Sequence, residues 1–208
     1  MINSKVFVSL ALAGIMTLSA CGGTQWKTSY ADVINPQVSK GWRVVAVDVR
    51  VPESLTVSER NSYAPDADIV WREDPFGKGT RHQQVDAIMT NAVKRGARVL
   101  HGAKPVKLVV TVQQFHALSE KARAVLQKSG VHDITFTAQV IDARTGAALT
   151  KVEPIKADLI AYVGDQAIAA EKQGLTQKIR ITNHVANVIS GWLGHGKDVR
   201  NTFTRNGR

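Results

Sequence analysis

The chain is almost without cysteine: one, Cys21, in 208 residues. No disulfide can form within it, so the fold rests on packing rather than on covalent staples. It also lacks an apolar run long enough to cross a bilayer. The longest candidate, Val6 to Thr17, falls short of the roughly 20 residues a spanning helix needs. Metal-site spacings are missing too. Six histidines (His82, His101, His116, His132, His184 and His195) form no HxH, HxxxH or HExxH pair. There is no GxSxG elbow for a nucleophilic serine. Gly77-Lys78-Gly79-Thr80 looks like a phosphate loop but lacks its spacing and a strand feeding into it, and reads as the lead-in to a helix. Acidic residues are scarce, with 17 Asp and Glu against 27 Lys and Arg, a net charge of +10. That excess favours anionic partners at long range and says nothing about fold.

What is present suffices for one compact domain: 44% of residues are hydrophobic and 21% charged. The N-terminus has three successive parts. Met1–Lys5 is short and positive, Val6–Thr17 is apolar, and Leu18-Ser19-Ala20-Cys21 follows at once. This quartet resembles the bacterial lipobox. The resemblance implies removal of residues 1–20 as a signal peptide and diacylglycerol, with its palmitate-type chains, on the Cys21 thiol. Gly22 after the cysteine implies sorting to the inner leaflet of an outer membrane, facing the periplasm. Two or three acyl chains anchor a protein almost irreversibly, since each buried methylene contributes ~0.8 kcal/mol. Export makes nucleic acid an unsuitable partner for the positive charge. Anionic headgroups or an envelope protein suit it better.

The mature chain shows no repeat and no low-complexity tract. It divides into a lipidated tether at 21–41, a single domain at 42–196 and a basic disordered tail at 197–208. Trp42–Val51 reads as a strand with Val45, Val47, Val49 and Val51 on one face. Thr80 and Gln83 have capping-box spacing and open a helix whose stripe is Val85, Ile88, Met89, Ala92 and Val93, with Gly96 closing it. Val106–His116 is a second strand, parallel to the first across this helix. Val131–Ile141 is a third, ended by a turn at 142–146, with a fourth near Ile155–Val163. Ser119–Lys128 fits either a short helix or a twisted hairpin. Thr176–Leu193 is a second amphipathic helix with Ile181, Val185, Val188, Ile189 and Trp192 inward, ended by Gly194 and Gly196. The expected fold is α+β: a small mixed sheet with two amphipathic helices on one face, a two-layer sandwich.

The most unusual stretch is Tyr63–Gly77. Three readings stay open. Trp71, Arg72 and Phe76 can anchor a partner, since aromatics and arginine suit binding hot spots. Ile69–Trp71 can add an edge strand whose aromatics plug the core. Asp66, Asp68, Glu73 and Asp74 can gather a cation, although calcium-loop spacing is absent and Arg72 opposes it. Lys121, Arg123, Lys128, Arg144, Lys151 and Lys156 offer a basic face to headgroups, or simply a solvated surface.

Taken together, the lipobox, DADIVWREDPFG (66–77), RHQQVDAIM (81–89) and GVHDITFTAQVIDARTGAAL (130–149) resemble an uncharacterised family of proteobacterial lipoproteins, a domain of unknown function. The resemblance runs from about Trp42 to Leu193 and implies no activity, cofactor, metal or catalytic residue. More distantly, the layout is similar to lipoproteins that accompany envelope transporters, in which such domains are contact modules. The expectation is a lipid-anchored, non-catalytic binding or assembly accessory. The alternatives are a periplasmic hydrolase or lipid-modifying enzyme, with His116 or His132 beside a serine and a carboxylate, and a small-ligand or metal-binding lipoprotein.

Overall fold

The computed structural model describes residues 25–63, 66–75 and 77–204. The elements in chain order are β1 (Gln25–Ser29), α1 (Pro36–Ser39), β2 (Trp42–Arg50), β3 (Ile69–Val70), α2 (Arg81–Ala97), β4 (Lys104–His116), α3 (Glu120–Val125), β5 (Gly130–Asp142), β6 (Glu153–Ala157), β7 (Leu159–Ala161), α4 (Gly164–Lys172), α5 (Gln177–Trp192) and β8 (Asn201–Thr204). The strands lie in the order β2-β4-β5-β6-β1-β8. β3 continues the β2 side of β4, and β7 continues the β6 side of β5. β2 and β3 run parallel to β4, and the other pairs are antiparallel. The sheet is therefore mixed, with α2 as the crossover between its parallel strands.

α2 and α5 lie side by side on one sheet face. β5 alternates as a half-covered antiparallel strand must. Ile134, Phe136, Ala138 and Val140 are sealed under the helices, while Thr135, Thr137 and Gln139 face outward and keep partial exposure. The capping box at Thr80 forms as the spacing requires, with both reciprocal hydrogen bonds present. Ser119–Lys128 resolves into α3, capped by the Ser119 hydroxyl. The fold is the expected α+β sandwich.

Several local expectations change. The β2 face does not run through Val45, which is 52% exposed. A β-bulge falls between Val44 and Ala46 and reverses the alternation. Trp42 and Val44 before it and Val47, Val49 and Val51 after it then all reach the core. A second bulge in β4, between Val112 and Gln114, does the same for Val112 and Phe115. The fourth strand is split at Asp158, whose carboxylate accepts from Lys27 N at 2.9 Å and from Ile134 N at 3.3 Å, inserting into the ladder. The 21–41 tether is shorter than expected, because β1 already pairs with β6 and β8 from Gln25. The tail is likewise not all free: Asn201–Thr204 pairs with Thr28–Gln25 through backbone hydrogen bonds that need no apolar pattern.

Gly96 does not close α2. It lies one residue before the helix ends, against α5, where an added Cβ would stand 2.4 Å from Ala186 O and 2.9 Å from Ile189 Cβ. Gly96→Ala is therefore expected to destabilise the protein by about 2 kcal/mol in urea unfolding. Overpacking costs about 1–3 kcal/mol, more than the ~1 kcal/mol of helix propensity an alanine would contribute. A stabilised variant would contradict this close helix crossing.

Candidate functional site

Cys21 and Phe76 lie outside the described residues. Trp71 lies within them and is wholly buried. Its ring meets Phe115 edge-on at 5.9 Å, and its indole nitrogen donates to Asp74 Oδ2 at 3.1 Å. It is a core residue following a short edge strand, so the reading of Trp71 as a partner anchor is corrected. A side chain with no exposed surface offers nothing to a partner.

Arg72 is turned the other way. Its Nε donates to Glu120 Oε2 at 2.8 Å, and its Nη1 donates to Glu59 O. It joins the 59–72 segment to α3. Beside it, buried Arg81 donates to Glu59 Oε1 at 2.7 Å and to Asp74 O at 2.8 Å. Lys178 holds both Asp74 oxygens at 2.9 and 3.0 Å, while its backbone N–H donates to Glu73 at 2.9 Å. A cleft of about 490 Å³ remains among Glu59, Arg72, Glu73, Asp74, Arg81 and Glu120. Most of its charges are already engaged: Glu59 with Arg72 and Arg81, Glu120 with Arg72, and Asp74 with Lys178, while Glu73 accepts only the Lys178 backbone N–H among the described residues. The carboxylates of 66–74 do not converge. Asp68 serves Thr56, Asp66 serves Arg60, Glu73 caps α5, and Asp74 serves Trp71 and Lys178. No group of three metal-capable side chains occurs among the described residues.

Neither histidine of the hydrolase alternative stands in a triad. His116 Nε2 bonds to Ala67 O at 2.6 Å. His132 is fully buried, with neither ring nitrogen hydrogen-bonded. Burial first, and then Arg180, His184 and Arg123, push its pKa down to about 3. A Ser–His contact does form elsewhere, between Ser39 Oγ and His195 Nε2 at 2.9 Å. Ser39 is sealed from solvent, and its hydroxyl lies 2.8 Å from the Leu193 carbonyl. This contact ties α1 to the end of α5.

The proposed basic face is divided. Lys121, Arg123 and Lys128 stand near the start of β5. Arg144 and Lys151 stand at the opposite end of the sheet, beyond Asp142. Arg123, Lys151 and Lys156 are paired with Glu171, Asp32 and Asp133.

A groove missed in the sequence lies along the free side of β2. It holds about 380 Å³. Val44, Ala97 and Leu100 form its floor, and Arg43, Lys94 and Arg98 its rim. No carboxylate lines it, and none of these three cations makes an ion pair among the described residues. β2 ends the strand order; its outer edge is bridged at Arg43 by His101, with Gly102 N donating to Trp42 O at 2.7 Å, and has no strand partner beyond that bridge among the described residues. The bulge at Val45 turns that side chain out over the same edge. Arg43 is about fifty residues from Lys94 and Arg98. Only the parallel β2–α2–β4 crossover brings them together.

The model of one protein family, described as "Family of unknown function (DUF6778)", matches residues 42–208. No curated protein matches the chain. Among solved structures, a Xanthomonas campestris protein of family DUF330 is 9% identical, covering 78% of this chain and 88% of its own, with a TM-score of 0.40. The PelC dodecamer from Paraburkholderia phytofirmans is 15% identical over 83% and 98%, with a TM-score of 0.33. A minor lipoprotein from Acinetobacter baumannii is 12% identical over 74% and 91%, with a TM-score of 0.31. Likenesses at this level carry no argument about chemistry.

Proposed function

Because this chain belongs to DUF6778, a family of unknown function, we infer its role from its own residues: a lipid-anchored envelope protein whose domain is a non-catalytic binding module. Cys21 carries the anchor, and Gly22 after it directs the protein to the outer membrane, as the lipobox resemblance implies. The β2 groove is the binding surface. The observation that carries this reading is the coincidence of three features along one sheet edge: strand backbone with no strand partner beyond the Arg43–His101 bridge, an apolar floor, and cations that form no ion pair among the described residues. An extended segment of another envelope protein, alternating aliphatic and acidic residues, satisfies all three. Its backbone continues the sheet, its aliphatic side chains enter the floor, and its carboxylates meet the rim. Electrostatic complementarity of this kind sets encounter rate and specificity.

The test is photocrosslinking in cells, with a benzophenone amino acid placed at Val45 or at the equally exposed Val152. A discrete adduct is expected from position 45 and not from 152, and Arg43→Glu with Arg98→Glu should abolish it. No adduct, or one that the charge reversals leave intact, would refute the groove as the binding surface.

A further inference from the structure

We propose that the end of the sheet where β5 begins lies against the anionic bilayer surface, with α4 and the first turn of α5 as its contact. This rests on the anchoring of Cys21 and adds an orientation to it. Strand register locates the chain's exit. Thr28 is opposite Ala157, and β7 then carries the chain to Ala161 opposite Gly130. Gln25 therefore lies at the end where β5 starts and where β4 finishes at His116. Thr204, the last residue of β8, is opposite Gln25 at the same end. Only Gly22, Gly23 and Thr24 separate Cys21 from Gln25. Four residue steps span at most about 14 Å. A lipidated Cys21 thus keeps this end within about that distance of the headgroups.

The side chains displayed there suit that position. Val125 is 54% exposed, Ile168 52%, Leu175 40% and Ile179 40%. All stand on α3, α4, the turn after it, or the start of α5. Gln177 of α5 bonds both the N–H and the carbonyl of Leu118, which fixes these elements beyond the end of β4. Among them stand Lys128, Lys172 and Arg180, none of which forms an ion pair among the described residues, although Arg180 stacks on Tyr162 at 3.5 Å and donates to Ile160 O at 2.6 Å. The carboxylates at this end are partly engaged, Glu171 with Arg123 and Glu120 with Arg72, leaving Asp165 and Glu73, which accepts from Lys178 N in the first turn of α5, as opposing charges. Aliphatic groups interleaved with cations are what an interfacial surface bearing anionic lipid favours. The β2 groove starts at the other end of the sheet, where Arg43 is opposite Pro105, and so faces away from the membrane.

The experiment uses the full chain, lipid-bearing, reconstituted into phosphatidylcholine vesicles containing phosphatidylglycerol and a lipid brominated near its headgroup. Ile168→Cys, Leu175→Cys, Val45→Cys and Val152→Cys are each labelled with bimane. All four positions are exposed, and retention of fold is checked by thermal melting. Quenching at 168 and 175 is expected to exceed that at 45 and 152 several-fold, and to shrink with Lys128→Glu and Lys172→Glu or in vesicles without phosphatidylglycerol. Mass spectrometry of the N-terminal peptide separates the failures. Lipid on Cys21 with flat or reversed quenching overturns the orientation alone. An unmodified thiol overturns the anchoring and the orientation together.

Discussion

At about pH 4, urea unfolding is expected to return roughly 4 kcal/mol less stability than at about pH 7. Two histidines cause this, His132 buried and His184 partly buried. His132 is held neutral by burial, with Arg180, His184 and Arg123 opposing its charge, and its pKa falls to about 3. Burial also brings His184 down to about 4, with Arg180 adding to the effect. In the unfolded chain both take protons below about pH 6.5, whereas the native state refuses them until pH 3–4. Their contribution is therefore complete above pH 6.5 and is lost as pH falls, by about 1.4 kcal/mol per unit for each histidine. Asp158 works in the opposite direction. Burial raises its pKa to about 6. The native carboxyl gains its proton before the unfolded one does, so stability rises as pH drops from 6 towards 3.8. Two histidines over about 2.5 units outweigh one aspartate over about 2 units by roughly 4 kcal/mol. His132→Leu removes the larger contribution. Its stability should vary less steeply with pH, by about 1.4 kcal/mol per unit between pH 6 and 4. A wild-type slope in that variant would show that His132 takes up protons as freely in the fold as outside it.

The second large effect is at Trp71. Trp71→Ala is expected to cost about 3–5 kcal/mol in urea unfolding, the range for truncating a fully buried large aromatic. It removes the contact with Phe115 and leaves Asp74 with Lys178 as its remaining side-chain partner. Arg72→Ala should cost far less, because the ion pairs it loses are partly open to water. The contrast separates a core plug from a partner anchor. A Trp71→Ala protein of wild-type stability that no longer forms the crosslink at position 45 would restore the anchor reading.

Legibility in the sequence followed the physics of each element. α2 and α5 were plain because a helix half buried against a sheet must place apolar residues at a 3.6-residue period, and Thr80 and Thr176 supply side-chain caps. α4 was missed because it has neither signal: Val163 offers no side-chain cap, and only Ala167 and Ala170 are buried. β8 was missed because backbone pairing alone holds it. The face of β2 was misread at Val45 because one bulged residue reverses a two-residue period without any mark in the composition.

The candidate sites divide in the same way. Cys21 is proposed from linear sequence alone, since a lipobox is read before any fold exists, and it lies outside the described residues. The fate of Tyr63–Gly77 was not legible, since a tryptophan has the same chemistry whether it anchors a partner or fills a core, and only its neighbours Phe115 and Asp74 decide.

The sequence by itself determined α2 and α5, the long strands and the α+β class, because each of these is written in residues close together along the chain. The tertiary structure alone decided that Trp71 is interior, that His132 is buried near Arg180 and Arg123 with His184 partly buried beside Arg180, and that Arg43, Lys94 and Arg98 rim one groove. These depend on strand register and crossover, which join residues far apart in sequence and are set by the packing of the whole core.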